Sequence, residues 1–238
     1  MSARQTSILE AELCNKASPA VSIVVPVYNE QDCIADLYKG LAGLIDSLEA
    51  EVIVVDDGSD DRTESLLQEC QGFTLLRIPH SGKSAALAAG LARARAPITV
   101  TIDADLQEDP GHIPEMVKLV RQGYECVHGI RVHRQDDFLG KRLPSWLYNQ
   151  LIWLLFNRRF RDVNCGLRAV PTDRLRSLEW DRGAHRLVPL LIHMQGGRVK
   201  GVPVRHRRRQ WGQSKYATSR RYPISLRHLL NLRLNGHV

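Results

Sequence analysis

Short apolar runs rich in β-branched residues alternate along the chain with segments whose apolar residues recur at helical spacing. The pattern predicts strands at 21–25, 52–55, 73–78, 98–102 and 126–130, and helices at 32–48, 62–70, 84–95 and from 110 onward. Strands that alternate with helices in this way form a mostly parallel sheet with helices on both faces. Ligands of such sheets bind beyond the carboxyl ends of the strands, so the residues after each strand are the first candidates for a site.

The pattern changes in the second half of the chain, where helices are predicted at 143–160 and 185–195 and strands at 165–170 and 199–204. A chain of 238 residues can bury one sizeable core. We therefore expect a single α/β domain over 20–216, with an N-terminal extension over 1–19 and a basic amphipathic segment over 217–238.

The composition excludes several classes of protein. An apolar fraction of 43% and a charged fraction of 25% are close to globular averages, which argues against long disorder and a polytopic membrane protein. The most apolar stretch, 143–156, is shorter than the roughly 20 residues that a membrane-spanning helix needs. Five cysteines without a CxxC pair argue against a disulfide framework or a zinc site and fit a reducing cytoplasm.

Positive charge is concentrated toward the C-terminal end of a chain whose net charge is +7. The basic residues of this end include Arg205, Arg207, Arg208, Arg209, Lys215, Arg220, Arg221, Arg227 and Arg233. They indicate an anionic partner, and charge alone does not choose among nucleic acid, a phosphorylated substrate and an anionic lipid.

Two carboxylates, Asp103 and Asp105, follow the predicted strand at 98–102 and are separated by one residue. Mg²⁺ and Mn²⁺ prefer such oxygen ligands and keep coordination positions open for substrate phosphates. Taken alone, the pair is explained better by a polar loop or a helix cap than by a metal site.

Two other strand ends carry polar residues. Asp57 follows the strand at 52–55 and could accept hydrogen bonds from a nucleobase or ribose, although helix capping also explains this segment. Tyr28 and Glu30 follow the first strand, and the ring of Tyr28 suits stacking on a base. Lys83 lies at the start of a predicted helix, in a segment that lacks the first glycine of a nucleotide-triphosphatase P-loop.

Six short segments follow one another along the chain: Pro-Val-Tyr-Asn-Glu at 26–30, Asp-Asp-Gly-Ser at 56–59, Gly-Lys-Ser-Ala-Ala-Leu at 82–87, Asp-Ala-Asp-Leu-Gln at 103–107, Asp-Val-Asn-Cys-Gly-Leu-Arg at 162–168 and Trp-Gly-Gln-Ser-Lys-Tyr at 211–216. In this order they resemble glycosyltransferase family 2 with the GT-A fold, and most closely its polyprenyl-phosphate (dolichol-phosphate) sugar transferase branch.

The resemblance implies roles for individual residues. The implied donor-nucleotide site consists of Pro26, Tyr28, Glu30, Val55, Asp57, Lys83, Asp103, Ala104, Gln107, Arg209 and Lys215. The implied ligands of Mg²⁺ or Mn²⁺ are Asp103, Asp105 and Gln107, and the implied catalytic residues are Asp105, Asp162 and Arg131. Arg168 is a further phosphate or structural partner.

The function implied is inverting transfer of a sugar from a UDP- or GDP-sugar to a polyprenyl phosphate. A phosphate monoester has a second pKa of about 6, so this acceptor arrives ionised and needs positioning more than a general base. A saccharide hydroxyl acceptor would need a carboxylate base, for which Asp162 is available. A noncatalytic nucleotide- or nucleic-acid-binding protein is disfavoured, because carboxylates at two strand ends repel a polyanion.

Many relatives in this branch carry two transmembrane helices after the catalytic domain. This chain instead continues into a basic amphipathic stretch at 222–234. We therefore expect peripheral binding at the inner face of the cytoplasmic membrane, through that stretch and the helix at 143–156, or through a separate small membrane protein.

Overall fold

The computed structural model describes residues 18–132, 143–180 and 183–207, together with Leu229. Arg209, Lys215 and most of the predicted terminal segments (1–19 and 217–238) lie outside the described residues.

Seven strands form one sheet in the order β3-β2-β1-β4-β6-β5-β7. They are β1 (Val21–Val27), β2 (Ala50–Asp56), β3 (Phe73–Arg77), β4 (Ile98–Thr101), β5 (Cys126–Val132), β6 (Arg168–Pro171) and β7 (Val199–Arg205). Strand β6 runs antiparallel to β4 and β5, and the other described pairs are parallel. The mostly parallel sheet predicted from the apolar runs is confirmed.

Seven α-helices connect these strands within the described residues. They are α1 (Ile34–Ser47), α2 (Thr63–Gln68), α3 (Lys83–Arg93), α4 (Ile113–Arg121), α5 (Leu143–Phe156), α6 (Thr172–Arg176) and α7 (Val188–Met194). None of the described helices is both long and apolar enough to cross a bilayer.

The two faces of the sheet carry separate cores. Alternate residues of β1 from Val21 to Val27 pack with α1 and α4 on one face. Val24 packs on the opposite face with Val55 and α3. Helix α3 approaches closely because Gly90 has no Cβ, which would lie 2.4 Å from Val24 Cγ1. Helices on both faces, as predicted, leave the strand ends as the open part of the sheet.

Several predicted bounds were wrong, for local reasons. Helix α5 ends at Phe156, before the predicted residue 160, because Asn157 adopts a left-handed φ of 51°. Strand β6 begins only at Arg168, because 162–165 form a turn in which Cys165 N donates to Asp162 O. The helix predicted at 185–195 is a 3₁₀ turn, Ala184–Arg186, followed by α7 with Pro189 in its first turn.

Candidate functional site

The carboxyl ends of β1, β2, β4 and β5 lie at one edge of the sheet, because these strands share one direction. Asp57 lies after β2, Asp103 after β4 and Arg131 near the end of β5. The antiparallel β6 begins at this same edge, which brings the preceding segment, 162–167, to it as well. The topology therefore gathers most of the predicted site residues.

Asp57 organises the loop that leads into α3. Its buried carboxylate accepts hydrogen bonds from the amides of Ser81, at 2.7 Å, and Gly82, at 2.9 Å, and His80 Nδ1 lies 3.0 Å from Oδ2. The ring of Tyr28 stacks on that of His80 with 4.2 Å between their centroids. Asp57 thus positions a loop that joins Tyr28 to the start of α3, while its contact with a nucleoside stays a prediction.

The turn after β1 is bonded to the turn after β2. Asn29, at a φ of 52°, donates from its backbone N to Ser59 Oγ, and its side-chain oxygen accepts from Asp60 N. Glu30 N donates to Thr63 Oγ1. These contacts place Tyr28 and Glu30 beside the Asp57 loop.

Two predicted donor-site residues have side chains in the core. Val55 is fully buried against α3, and Ala104 is 4% exposed in the core on the other face. Any contact of these two residues with a donor would therefore involve the main chain. Pro26 is partly buried within β1.

Asp103 lies between a cation and a glycine. Lys83 Nζ, at the first position of α3, is 2.5 Å from Asp103 Oδ1. A Cβ on Gly166 would lie 2.6 Å from Oδ1 and 2.8 Å from Oδ2, so only glycine lets segment 162–167 pack this closely. Burial would raise the pKa of Asp103, but the Lys83 ammonium, together with Arg168 and Arg131, outweighs burial and lowers this pKa below its ordinary value. The carboxylate is therefore ionised and held in place.

The rest of the predicted metal-binding segment is bonded, through Gln107, to the chain just after β7. Asp105 Oδ1 accepts from Gln107 N at 3.2 Å, next to Leu106 with its φ of 46°. Arg207 N donates to Gln107 O at 2.7 Å, and Gln107 Nε2 lies 3.4 Å from Arg207 O.

The carboxylates of Asp103 and Asp105 fit Mg²⁺ or Mn²⁺. Among the described residues no group of three or more His, Cys, Asp or Glu side chains is arranged around a metal position. These two ions need only one or two protein carboxylates, because they retain waters and substrate phosphate oxygens. The pair of carboxylates therefore suits a metal that arrives with a phosphate ligand.

Arg131 and Asp162 form a buried bidentate ion pair. Arg131 Nε is 2.7 Å from Asp162 Oδ2, and Nη2 is 2.8 Å from Oδ1. The side chains are 15% and 4% exposed. Burial opposes the charge on Arg131, but the Asp162 carboxylate outweighs it and raises the pKa of the guanidinium. Two of the three predicted catalytic residues thus bind each other.

The structure adds Glu108, which the sequence analysis did not single out. It is 3% exposed, with Oε1 3.8 Å from Arg131 Nη1 and 3.8 Å from Cys165 Sγ. Burial and then the Asp103 charge raise the pKa of Glu108 to about 7. The sequence feature that could have identified Glu108 as a site residue is its position directly after the acidic turn at 103–107.

Arg168 serves the framework. It is 4% exposed, and its guanidinium donates to His185 O at 2.5 Å and to Val163 O at 3.3 Å. The ring of His185 in turn lies 2.8 Å from Ser84 Oγ in the first turn of α3. Of its two predicted roles, the contacts favour the structural one.

Comparison with protein families gives a match to the model described as "Glycosyl transferase family 2" over residues 22–173. The chain is also 34% identical, over 204 residues, to the undecaprenyl-phosphate 4-deoxy-4-formamido-L-arabinose transferase of Edwardsiella ictaluri (strain 93-146). That match covers 82% of this chain and 62% of the relative, so the chain spans less than two thirds of the relative's length.

Solved structures share the fold. Glucosyl-3-phosphoglycerate synthase from Mycobacterium tuberculosis, in complex with phosphoglyceric acid, superposes with a TM-score of 0.72 at 23% identity, over 93% of this chain and 83% of that one. The same enzyme with Mn²⁺ and UDP-glucose gives 0.70 at 22% identity, over 93% and 82%. At these identities the likeness is one of architecture.

Proposed function

The chain belongs to glycosyl transferase family 2, and we propose that it is an inverting glycosyltransferase that moves a sugar from a UDP- or GDP-sugar to a polyprenyl phosphate. The proposed catalytic domain covers 20–216. The observation that carries the proposal is the ionised carboxylate of Asp103, fixed after β4 beside Asp105, Lys83 and the Arg131–Asp162 pair.

The donor half of the proposal rests on the charges at the strand ends. Mg²⁺ or Mn²⁺ held by Asp103 and Asp105, with Gln107 beside them, would stabilise the departing diphosphate. Lys83 is close enough to Asp103 to contact the same diphosphate. Tyr28 and the His80 loop offer aromatic surface for the base. Arg209 and Lys215 follow Arg207 in the sequence, outside the described residues, and we propose that they bind phosphates.

The acceptor half is supported by the similarity to the undecaprenyl-phosphate transferase and by the state of Asp162. A hydroxyl acceptor needs a base in contact with its proton. Asp162 is instead almost fully buried and accepts two charged hydrogen bonds from Arg131. An acceptor that is already an anion removes the need for that base, and its phosphate oxygen can attack the anomeric carbon directly.

Helix α5 supports a peripheral site at the inner face of the membrane. Trp146, Leu147, Trp153 and Leu154 are between 39% and 76% exposed. Arg159 lies over the Trp153 ring at 4.5 Å, next to exposed Arg158. Exposed tryptophans and leucines beside arginines are typical of helices that lie in the interface of an anionic bilayer. The acceptor, a lipid, would be presented at the same surface.

The test is release of nucleoside diphosphate from a panel of UDP- and GDP-sugars, with Mg²⁺ or Mn²⁺ and with or without a short polyprenyl phosphate. We expect release that depends on both metal and lipid phosphate. Asp105→Ala is expected to abolish it without unfolding the protein, while Asp46→Ala, an exposed position on α1, retains it. Full activity in Asp105→Ala would reject the metal assignment, and release indifferent to the lipid would favour a hydroxyl acceptor.

A further inference from the structure

Lys83 supplies a cation to the carboxylate that the proposed function gives to the metal. Its Nζ lies 2.5 Å from Asp103 Oδ1, and the side chain is only 23% exposed. The amides of the two residues before it, Ser81 and Gly82, are held by Asp57. Because its backbone is fixed at the start of α3, Lys83 is positioned for this contact rather than lying loosely on the surface.

A second cation cannot join Asp103 without competing with Lys83. The backbone of Gly166 packs against both oxygens of Asp103, which limits the directions from which a ligand can approach. A divalent ion would bind an oxygen at about 2.0–2.1 Å, closer than the 2.5 Å between the Lys83 ammonium and Asp103 Oδ1. Two cations on one carboxylate repel each other strongly in a partly buried site. Occupancy by the metal therefore requires Lys83 to withdraw or to share the carboxylate.

We propose that Lys83 is an exchangeable counter-ion that couples metal binding to donor binding. Without a donor, its ammonium neutralises Asp103 and weakens the affinity for the metal. The diphosphate of a donor gives Lys83 a second anionic partner, so that donor binding releases Asp103 to the metal. This inference rests on the proposed metal role of Asp103. By thermodynamic linkage the metal strengthens donor binding by the same factor.

Mn²⁺ binding, measured by electron paramagnetic resonance with and without saturating UDP or GDP, tests the coupling without turnover. We expect Lys83→Met to bind Mn²⁺ alone about tenfold more tightly than the wild type and to lose most of the nucleotide effect, a size typical of coupling between two sites. Lys83→Arg keeps a cation and should keep weak Mn²⁺ binding. Lys118→Met, at an exposed position of α4, is the matched control and should behave like the wild type.

Equal or weaker Mn²⁺ binding by Lys83→Met would overturn the proposal, as would absence of Mn²⁺ binding with and without nucleotide. Thermal unfolding of each variant without metal verifies its fold, and Lys83→Gln replaces the methionine variant if that one does not fold. If the wild type transfers sugar but Lys83→Met binds Mn²⁺ with the wild-type affinity, the counter-ion role is rejected and the proposed function stands. If donor and Mn²⁺ binding are coupled through Lys83 but no sugar is transferred, the counter-ion role stands and the proposed function is rejected.

Discussion

Replacing Asp162 by asparagine tests whether this carboxylate stabilises the fold or acts on the acceptor. The change keeps the shape of the side chain and removes its charge. It leaves Arg131, which is 15% exposed, without its bidentate partner. Glu108 Oε1, at 3.8 Å from Arg131, is then the nearest described carboxylate and compensates only in part.

The expected loss follows from the burial of the pair. Removing one partner of a buried ion pair costs about 3–5 kcal/mol, and Glu108 places this case near the lower end, at about 3 kcal/mol. For a chain of this size, 1 kcal/mol corresponds to about 2–4 °C in Tm, so Asp162→Asn should lower the Tm by about 6–12 °C. Circular dichroism during thermal and urea unfolding, in the presence of a chelator, measures both quantities.

The controls separate a structural role from a catalytic one. Asp173→Asn breaks an exposed pair with Arg176 and should leave the Tm almost unchanged. The double variant Asp162→Leu with Arg131→Met should recover part of the stability, because it removes both charges of the pair, although Glu108 then loses its contact with Arg131. A variant Asp162→Asn with the wild-type Tm but no transfer would refute this reasoning and restore Asp162 as the base for a hydroxyl acceptor.

Three further predictions follow from individual contacts. Gly166→Ala should push Asp103 aside and weaken Mn²⁺ binding. Gly43→Ala, whose Cβ meets nothing within 4 Å, is the control and should bind Mn²⁺ like the wild type. Equal Mn²⁺ affinities of the two variants would contradict the close packing of Gly166 on Asp103. Burial lowers the pKa of His128 to about 4, so the native state excludes a proton that the unfolded state binds below about pH 6.5. Stability should therefore fall by about 2 kcal/mol between pH 7 and pH 5, and urea unfolding of His128→Gln should lack that part of the loss. Leu154→Glu, on the exposed face of α5, should reduce sedimentation with phosphatidylglycerol vesicles, and unchanged sedimentation would exclude α5 from the membrane contact.

The strands were predictable because each buried strand of a parallel sheet is a run of β-branched residues. Val21–Val27 and Ala50–Asp56 were located to within two residues at either end. Helix α6 was missed, because five residues are too few to show a helical period. The antiparallel direction of β6 depends on its pairing with β4 and β5, which local pattern does not contain.

At the candidate site, local sequence located the carboxylates but not their partners. Asp57 meets the amides of Ser81 and Gly82, more than twenty residues away, and the chain between them shows no sign of this contact. Glu108 was missed for the same reason, since its burial depends on Arg131 and Cys165. Strand ends are visible in a sequence, whereas contacts between loops require the strand order.

The balance of charge at the site bears on what it can bind. Around Asp103, the described carboxylates include Asp105, Glu108 and Asp162, and the described cations include Lys83, Arg131 and Arg168. Each of these cations is already bonded, to a carboxylate or, for Arg168, to main-chain carbonyls. An anionic diphosphate would therefore meet a site with little positive charge to offer. The divalent ion that we propose for Asp103 and Asp105 would supply that charge and free Lys83, which supports the proposed metal-dependent transferase over a metal-free nucleotide-binding protein.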